Sequence, residues 1–462
     1  MKKIYRYGLT LLGGILVITI IYALITYPPI MAGMASKTMC SCVYVMGRTP
    51  ESVIQKELTV FPGLGRARFE IKDSSSVTAT FLWSTRKSIY RKGLGCTLLA
   101  ERTEEEVRRQ QPALPHPPAL NQDTIAWPAG NLTSNSRVAG VDYQKVEGAL
   151  QEAFDEPNPG RPKNTLAIII LFDGQIVGER YADGFNYNSP MMGWSMTKGL
   201  TNGLVGLLVR EGKLAVNATP PMQEWESDER KNITLNDLMH ASSGLDWSEL
   251  YSFPGDFHTM FMDRDDKGGY AASKALEYKP GERFEYSSGT SNLISKIVRR
   301  TVGEDQYPRF AYERLFYKIG MYHTLVETDA SGTFVGSSLG YASARDWARF
   351  GLLFSNDGLW NGERILPEGW VEYSSTPASA APIGQYGAQW WLNAGARDHP
   401  EKSYHPGLPP DEYGAEGFEG QYIFIVPSKK LVVVRLGISH DGFDMTRLVQ
   451  KVISALPDKP QP

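Results

Sequence analysis

Gly193-Trp194-Ser195-Met196-Thr197-Lys198 is the stretch that decides what this chain is. It runs into Leu200, Leu204, Leu207 and Leu208, apolar residues at helical spacing, so Ser195 is expected in the first turn of a buried helix. Residues three apart share a helical face, which puts the Lys198 amine within reach of the Ser195 hydroxyl. The helix N-terminus contributes free backbone N–H groups and a partial positive charge. Both favour the oxyanion of an acyl-transfer transition state, and a lysine made neutral by its surroundings can take the serine proton. The spacing recurs at Ser84-Thr85-Arg86-Lys87, behind the strand-like run from Val77 to Trp83. There it reads as an exposed polar turn.

The 462 residues, 42% hydrophobic and 21% charged, suffice for one large core and one principal domain. A net charge of −3 without a long basic run argues against a nucleic-acid partner. Seven histidines and three cysteines show no metal-ligand spacing, so no metal or other cofactor is expected. Lys2, Lys3 and Arg6 precede an uncharged stretch from Tyr7 to Met34, most apolar from Leu9 to Ile25. With its flanks it reaches the ~20 residues that cross a bilayer. The basic flank predicts a cytoplasmic N-terminus, a transmembrane helix as membrane partner, and a catalytic domain on the extracytoplasmic, periplasmic side. A cleaved signal peptide is the alternative, with small residues at Met31-Ala32-Gly33-Met34-Ala35-Ser36. On the oxidising side Cys96 could pair with Cys40 or Cys42.

Four segments follow from composition. Residues 1–36 form the cytoplasmic stub and anchor, 37–110 a small membrane-proximal module, 111–137 a proline-rich linker and 138–462 the main domain. In the main domain, Tyr143, Val146, Leu150 and Phe154 mark a helix, and Thr165–Phe172 and Ile176–Tyr181 a hairpin turning at Asp173-Gly174. A second hairpin, Gln421–Val426 and Leu431–Leu436, is followed by a helix on Met445, Leu448, Val449, Val452 and Ile453. The fold class is α+β: an antiparallel sheet flanked by terminal helices, with an inserted helical subdomain.

Three further segments join the Ser195 motif. They are Ile233–Met239 running into Ser242-Ser243-Gly244-Leu245, then Pro280-Gly281-Glu282-Arg283-Phe284-Glu285-Tyr286-Ser287-Ser288, then Gly417-Phe418-Glu419-Gly420-Gln421. Together they resemble the serine β-lactamase and penicillin-binding-protein superfamily over roughly residues 138–456. The resemblance is to its class C-like branch of esterases, D-aminopeptidases and 6-aminohexanoate-dimer hydrolase. It implies a β-lactamase/transpeptidase-like fold and a serine hydrolase acting on an amide or ester. Ser195 is then the nucleophile that becomes acylated, Lys198 its proton acceptor and Tyr286 a second acid/base. Ser288 stands where the family's Tyr-x-Asn motif has asparagine. The third motif falls on Phe418-Glu419-Gly420 and lacks the family's cation, for which Lys402 or Arg397 could compensate. By the same resemblance, Gly420 would keep the strand backbone near substrate, and the N–H groups of Ser195 and Gln421 would form the oxyanion hole.

Two alternatives stay open. Gly336-Ser337-Ser338-Leu339-Gly340 fits the nucleophile elbow of α/β-hydrolases, but Asp329–Val335 before it is a loop rather than the buried strand an elbow needs. A non-hydrolytic binding or sensor protein on the same fold, or a true β-lactamase, is the other functional reading.

Overall fold

The N-terminal apolar stretch forms one helix, α1 (Lys2–Tyr44), long and apolar enough to cross a membrane. Most residues from Leu11 to Tyr27 are exposed, whereas Pro28, Ile30, Ala32, Ala35, Ser36, Met39 and Cys40 are buried. In this computed structural model the described residues are 2–457 apart from 73–74, 135, 252–253, 397–398, 400 and 441. They fall into two units, Met1–Arg108 with Ser248–Asp265, and Arg109–Trp247 with Asp266–Pro462.

In the first unit, the C-terminal part of α1 packs on an antiparallel sheet of β1 (Arg68–Lys72), β2 (Ser76–Phe81), β3 (Ser84–Arg91) and β4 (Gly95–Leu98). Ser36 Oγ donates to the Val77 carbonyl at 2.9 Å, and Cys40 is disulfide-bonded to Cys96 across a Cα–Cα distance of 6.0 Å. Cys42 is buried outside that bond. Three expectations are corrected here. Ser84-Thr85-Arg86-Lys87 is strand, because β2 turns directly into β3 at Leu82-Trp83, with Leu82 at φ +53°. An apolar turn of that kind carries no Asn-Gly signal. The boundary near residue 36 falls inside α1. Ser248–Asp265, read as main domain, belongs to the first unit and meets α1 where Met262 packs on Gly33.

The second unit is built on a six-stranded antiparallel sheet. In chain order it uses α2 (Tyr143–Phe154), β5 (Thr165–Phe172), β6 (Gln175–Tyr181), α3 (Thr197–Arg210), α4 (Ser288–Val302), α5 (Ala344–Ser355), β7 (Trp391–Leu392), β8 (Tyr413–Gly417), β9 (Gln421–Val426), β10 (Leu431–Gly437) and α6 (Met445–Ile453). Strand order is β7-β8-β9-β10-β5-β6. All eight residues of β5 and all seven of β10 are buried, as befits central strands covered on both faces. Their Ile168, Ile170, Phe172, Leu431 and Val433 side chains pack with α2 and α6. On the other face, α5 approaches so closely that a Cβ at Gly351 would lie 2.7 Å from Val432. Asp173 and Gly174 both have positive φ, +49° and +75°, the type I′ turn that a two-residue hairpin demands.

The proline-rich stretch is not a free linker. Gln122–Thr124 forms a turn, and buried Arg349 donates to the Pro128 and Gly130 carbonyls at 2.9 and 2.7 Å. Together with Asn131 Oδ1 and Asp346 Oδ1, these carbonyls take up the Arg349 guanidinium and tie the segment to the second unit.

The loop before β8 is clasped to that strand by one imidazole. His405 Nδ1 lies 2.9 Å from Glu412 and its Nε2 lies 3.0 Å from Glu416. Burial opposes the charged imidazole, but the two carboxylates outweigh it and raise the pKa from 6.5 to about 9. A raised folded-state value means the contribution is complete below pH 6.5 and is lost as pH rises through about 9. We expect the unfolding free energy to fall by on the order of 3 kcal/mol across that window. His405→Gln should flatten the dependence, and lower stability at pH 7 by about 3 kcal/mol by leaving Glu412 buried without a cation. Denaturant melts of both proteins at several pH values check this.

Candidate active site

Ser195 sits in a 3-10 turn, Trp194–Met196, that feeds directly into α3. The turn is forced tight. A Cβ at Gly193 would lie 2.4 Å from the Trp347 ring, and Trp194 adopts φ +46°, a left-handed conformation that costs a non-glycine residue about 1–2 kcal/mol. Thr197 Oγ1 holds it by donating to the Trp194 carbonyl at 2.6 Å, while Gly193 N–H donates to Gly340 at 2.8 Å.

Lys198 is 2% exposed. Its Nζ donates to Ser195 Oγ at 3.1 Å, to Ser288 Oγ at 3.4 Å and to the Ser337 carbonyl at 3.0 Å. It also lies 4.7 Å from the Tyr286 ring centroid. Ser288 is delivered by α4, whose first turn is fixed by Ser287 Oγ accepting from the Thr290 N–H at 2.9 Å. Tyr286 stacks on Trp391 at 5.3 Å and meets Tyr386 edge-on at 5.8 Å, so its ring is set from two sides. Ser195, Lys198, Tyr286 and Ser288 are therefore brought together.

Gly420 and Gln421 are placed differently. Gly420 is close to Arg435, where a Cβ would lie 2.6 Å from Nη1. The Gln421 side chain donates to the Phe418 and Gly437 carbonyls at 3.1 and 2.6 Å. The glycine that passes the Ser195 turn is Gly417, where a Cβ would lie 2.2 Å from the Gly193 carbonyl oxygen and 3.1 Å from Trp194 Cβ. Phe418, 41% exposed, meets the Trp194 ring edge-on at 5.6 Å, and Glu419 is 8% exposed. Of the compensating cations, Lys402 is exposed and Arg397 lies outside the described residues.

The Gly336–Gly340 segment is no elbow. It packs against α3, with Cβ atoms at Gly336 and Gly340 excluded by Thr201 and Thr197 at 2.5 and 2.7 Å, and it supplies the Ser337 carbonyl that receives Lys198. Ser338 Oγ is spent on Ser337 Oγ at 3.0 Å. The paired glycines were the visible signal, here marking close approach to a helix. Among the described residues no group of three or more His, Cys, Asp and Glu side chains could hold a metal ion.

Residues 153–444 match the Beta-lactamase family, which is more than half of the chain. The chain belongs to the Beta-lactamase family. Its relatives there include a 6-aminohexanoate-dimer hydrolase of Paenarthrobacter ureafaciens, 23% identical over 362 residues that cover 71% of this chain and 81% of that protein. Among solved structures, a family VIII carboxylesterase superposes with a TM-score of 0.54 at 16% identity, covering 70% of this chain and 98% of its own. A penicillin-binding protein homologue from Caulobacter crescentus gives 0.53 at 14% identity, with 70% and 99% covered. These likenesses bear out the β-lactamase/transpeptidase-like α+β fold, the antiparallel sheet included.

Because Gly417 has no room for a side chain against Gly193, Gly417→Ala should push the strand and the Ser195 turn of this Beta-lactamase family member apart. A displacement of that kind is expected to cost about 100-fold in kcat/KM. Steady-state kinetics on an ester substrate, beside a thermal melt, separate this from unfolding.

Proposed function

We propose that this protein is a membrane-anchored serine hydrolase that forms an acyl-enzyme on Ser195 and hydrolyses a small neutral ester or amide. The observation that carries the reading is the buried Lys198 amine 3.1 Å from Ser195 Oγ, with Tyr286 beside it. In acylation, Ser195 Oγ attacks the substrate carbonyl carbon and its proton passes to the neutral Lys198 amine. Tyr286 relays a proton to the leaving group as the tetrahedral intermediate collapses. Water then attacks the ester on Ser195 by the reverse relay and releases the acid. The Ser195 N–H and a backbone N–H of the Gly417–Gln421 segment, Gln421 by analogy, receive the oxyanion. Gly417 against Gly193 supports this segment as the second wall.

The substrate class follows from the third motif. A β-lactamase holds its substrate carboxylate beside a cation, and here that place has an exposed Phe418 and the buried Glu419 carboxylate. An anionic group brought there would be desolvated without a partner. The names of a dimer hydrolase and a carboxylesterase among the relatives support hydrolysis rather than mere binding. On the same preparation, kcat/KM for p-nitrophenyl butyrate is expected to exceed that for nitrocefin by at least about 100-fold, and Ser195→Ala should abolish it. Efficient nitrocefin turnover lost in Ser195→Ala would make the protein a β-lactamase. Ligand binding without Ser195-dependent turnover would make it a sensor.

For localisation, α1 supports an anchor, with the hydrolase on the periplasmic side. Ala35 and Ser36, the small residues of the alternative cleavage site, are buried within α1 against β2, so cleavage there would cut into packed structure. The chain should sediment with membranes and leave them only in detergent. A soluble form beginning near Ser36 would contradict the anchor.

A further inference from the structure

Trp194 and Glu419 face each other across the nucleophile turn, and each holds a left-handed backbone, φ +46° and φ +63°. Neither is glycine, so each conformation must be held from outside. Their side chains hold one another. The Trp194 indole N–H donates to Glu419 Oε2 at 3.2 Å. The other carboxylate oxygen, Oε1, lies 2.9 Å from His440 Nδ1. The Glu419 backbone is secured in turn, since its carbonyl accepts from Ser439 N–H at 2.9 Å and from buried Arg435 at 3.3 Å.

We propose that Glu419 is a positioning residue, a strut that sets the Trp194 backbone and so the direction of the Ser195 N–H that receives the oxyanion. This rests on the hydrolase reading above. The carboxylate is badly placed to bind substrate in this arrangement, because its side chain is 5% exposed, Oε2 accepts from the indole and Oε1 faces the His440 ring. What it can do is fix geometry. Trp194 is the residue before Ser195, so its φ and ψ direct the next peptide N–H. Glu419 lies one residue beyond Phe418 in the segment that passes the turn. The indole–carboxylate bond therefore ties the two backbone segments that bracket the oxyanion, and fixes their separation before substrate arrives. A donor preset in this way acts on the transition state rather than on the ground state.

The test uses the full chain in detergent, with p-nitrophenyl butyrate as substrate and a boronic acid that forms a tetrahedral adduct as a direct ligand. Glu419→Ala and Trp194→Phe should each lower kcat by about 10–100-fold with KM changed less than about threefold. Both should weaken the boronic acid Kd by a similar factor. Glu419→Gln, which still accepts from the indole, should recover most of the loss. The Trp194→Phe/Glu419→Ala double variant should be no worse than either single one, because both break the same bond. Trp194→Phe keeps the ring packing, so it remains informative should Glu419→Ala fail to fold. The proposal is overturned by unchanged kcat and unchanged boronic acid Kd, by additive losses, or by a Glu419→Gln variant as impaired as Glu419→Ala. Turnover that survives Ser195→Ala overturns the hydrolase reading instead. Ser195-dependent turnover indifferent to Glu419→Ala overturns the strut alone.

Discussion

The Lys198 amine is held among three oxygens delivered by three separate segments of chain. Ser195 comes from the turn before α3, Ser288 from the first turn of α4, and the Ser337 carbonyl from a loop about 140 residues downstream of the lysine. A buried amine without hydrogen-bond partners would be costly. Its burial thus constrains everything that packs around α3. The two glycines at Gly336 and Gly340 exist to let the third segment come near enough, and Thr197 and Thr201 occupy the space their side chains would have taken.

The large sheet supplies the opposite wall. Central strands β5 and β10, covered by α2 and α6 on one face and α5 on the other, form a platform from which the β8–β9 hairpin reaches the Ser195 turn. Gly417 touches Gly193 there, so a core strand and a strained turn share one contact. Strain of this kind persists only where the surroundings over-determine it. Here Trp347 behind Gly193, Thr197 on the Trp194 carbonyl and Glu419 on the indole do so.

Periodicity carried the sheet and helices well. β5, the Asp173-Gly174 turn, the late hairpin and α6 have strong apolar patterns and turn residues whose chemistry admits few alternatives, and they stand where those patterns put them. The Ser195, Lys198, Tyr286 and Ser288 set was legible because the spacing within each of its two motifs is local and the motifs keep family order. What stayed hidden depends on distant chain. Ser337 acts through a carbonyl, which no side-chain pattern announces. Gly417 matters through a 2.2 Å exclusion against Gly193, while Gly420, the residue just before β9, looked equivalent in sequence. The Leu82-Trp83 turn lacked polar punctuation, and so the first half of β3 read as an exposed polar turn after β2. That Ser248–Asp265 joins the N-terminal unit reflects contacts with α1 far away in sequence, beyond the reach of local composition.

The central claim is that Lys198 activates Ser195 as a nucleophile. It is tested most directly by treating the full-length protein with an active-site fluorophosphonate, then measuring intact mass and mapping the modified peptide. The account predicts one adduct per chain on Ser195, absent in Ser195→Ala and formed far more slowly in Lys198→Ala. An adduct on Ser338, or labelling of Ser195 at an undiminished rate in Lys198→Ala, would contradict it.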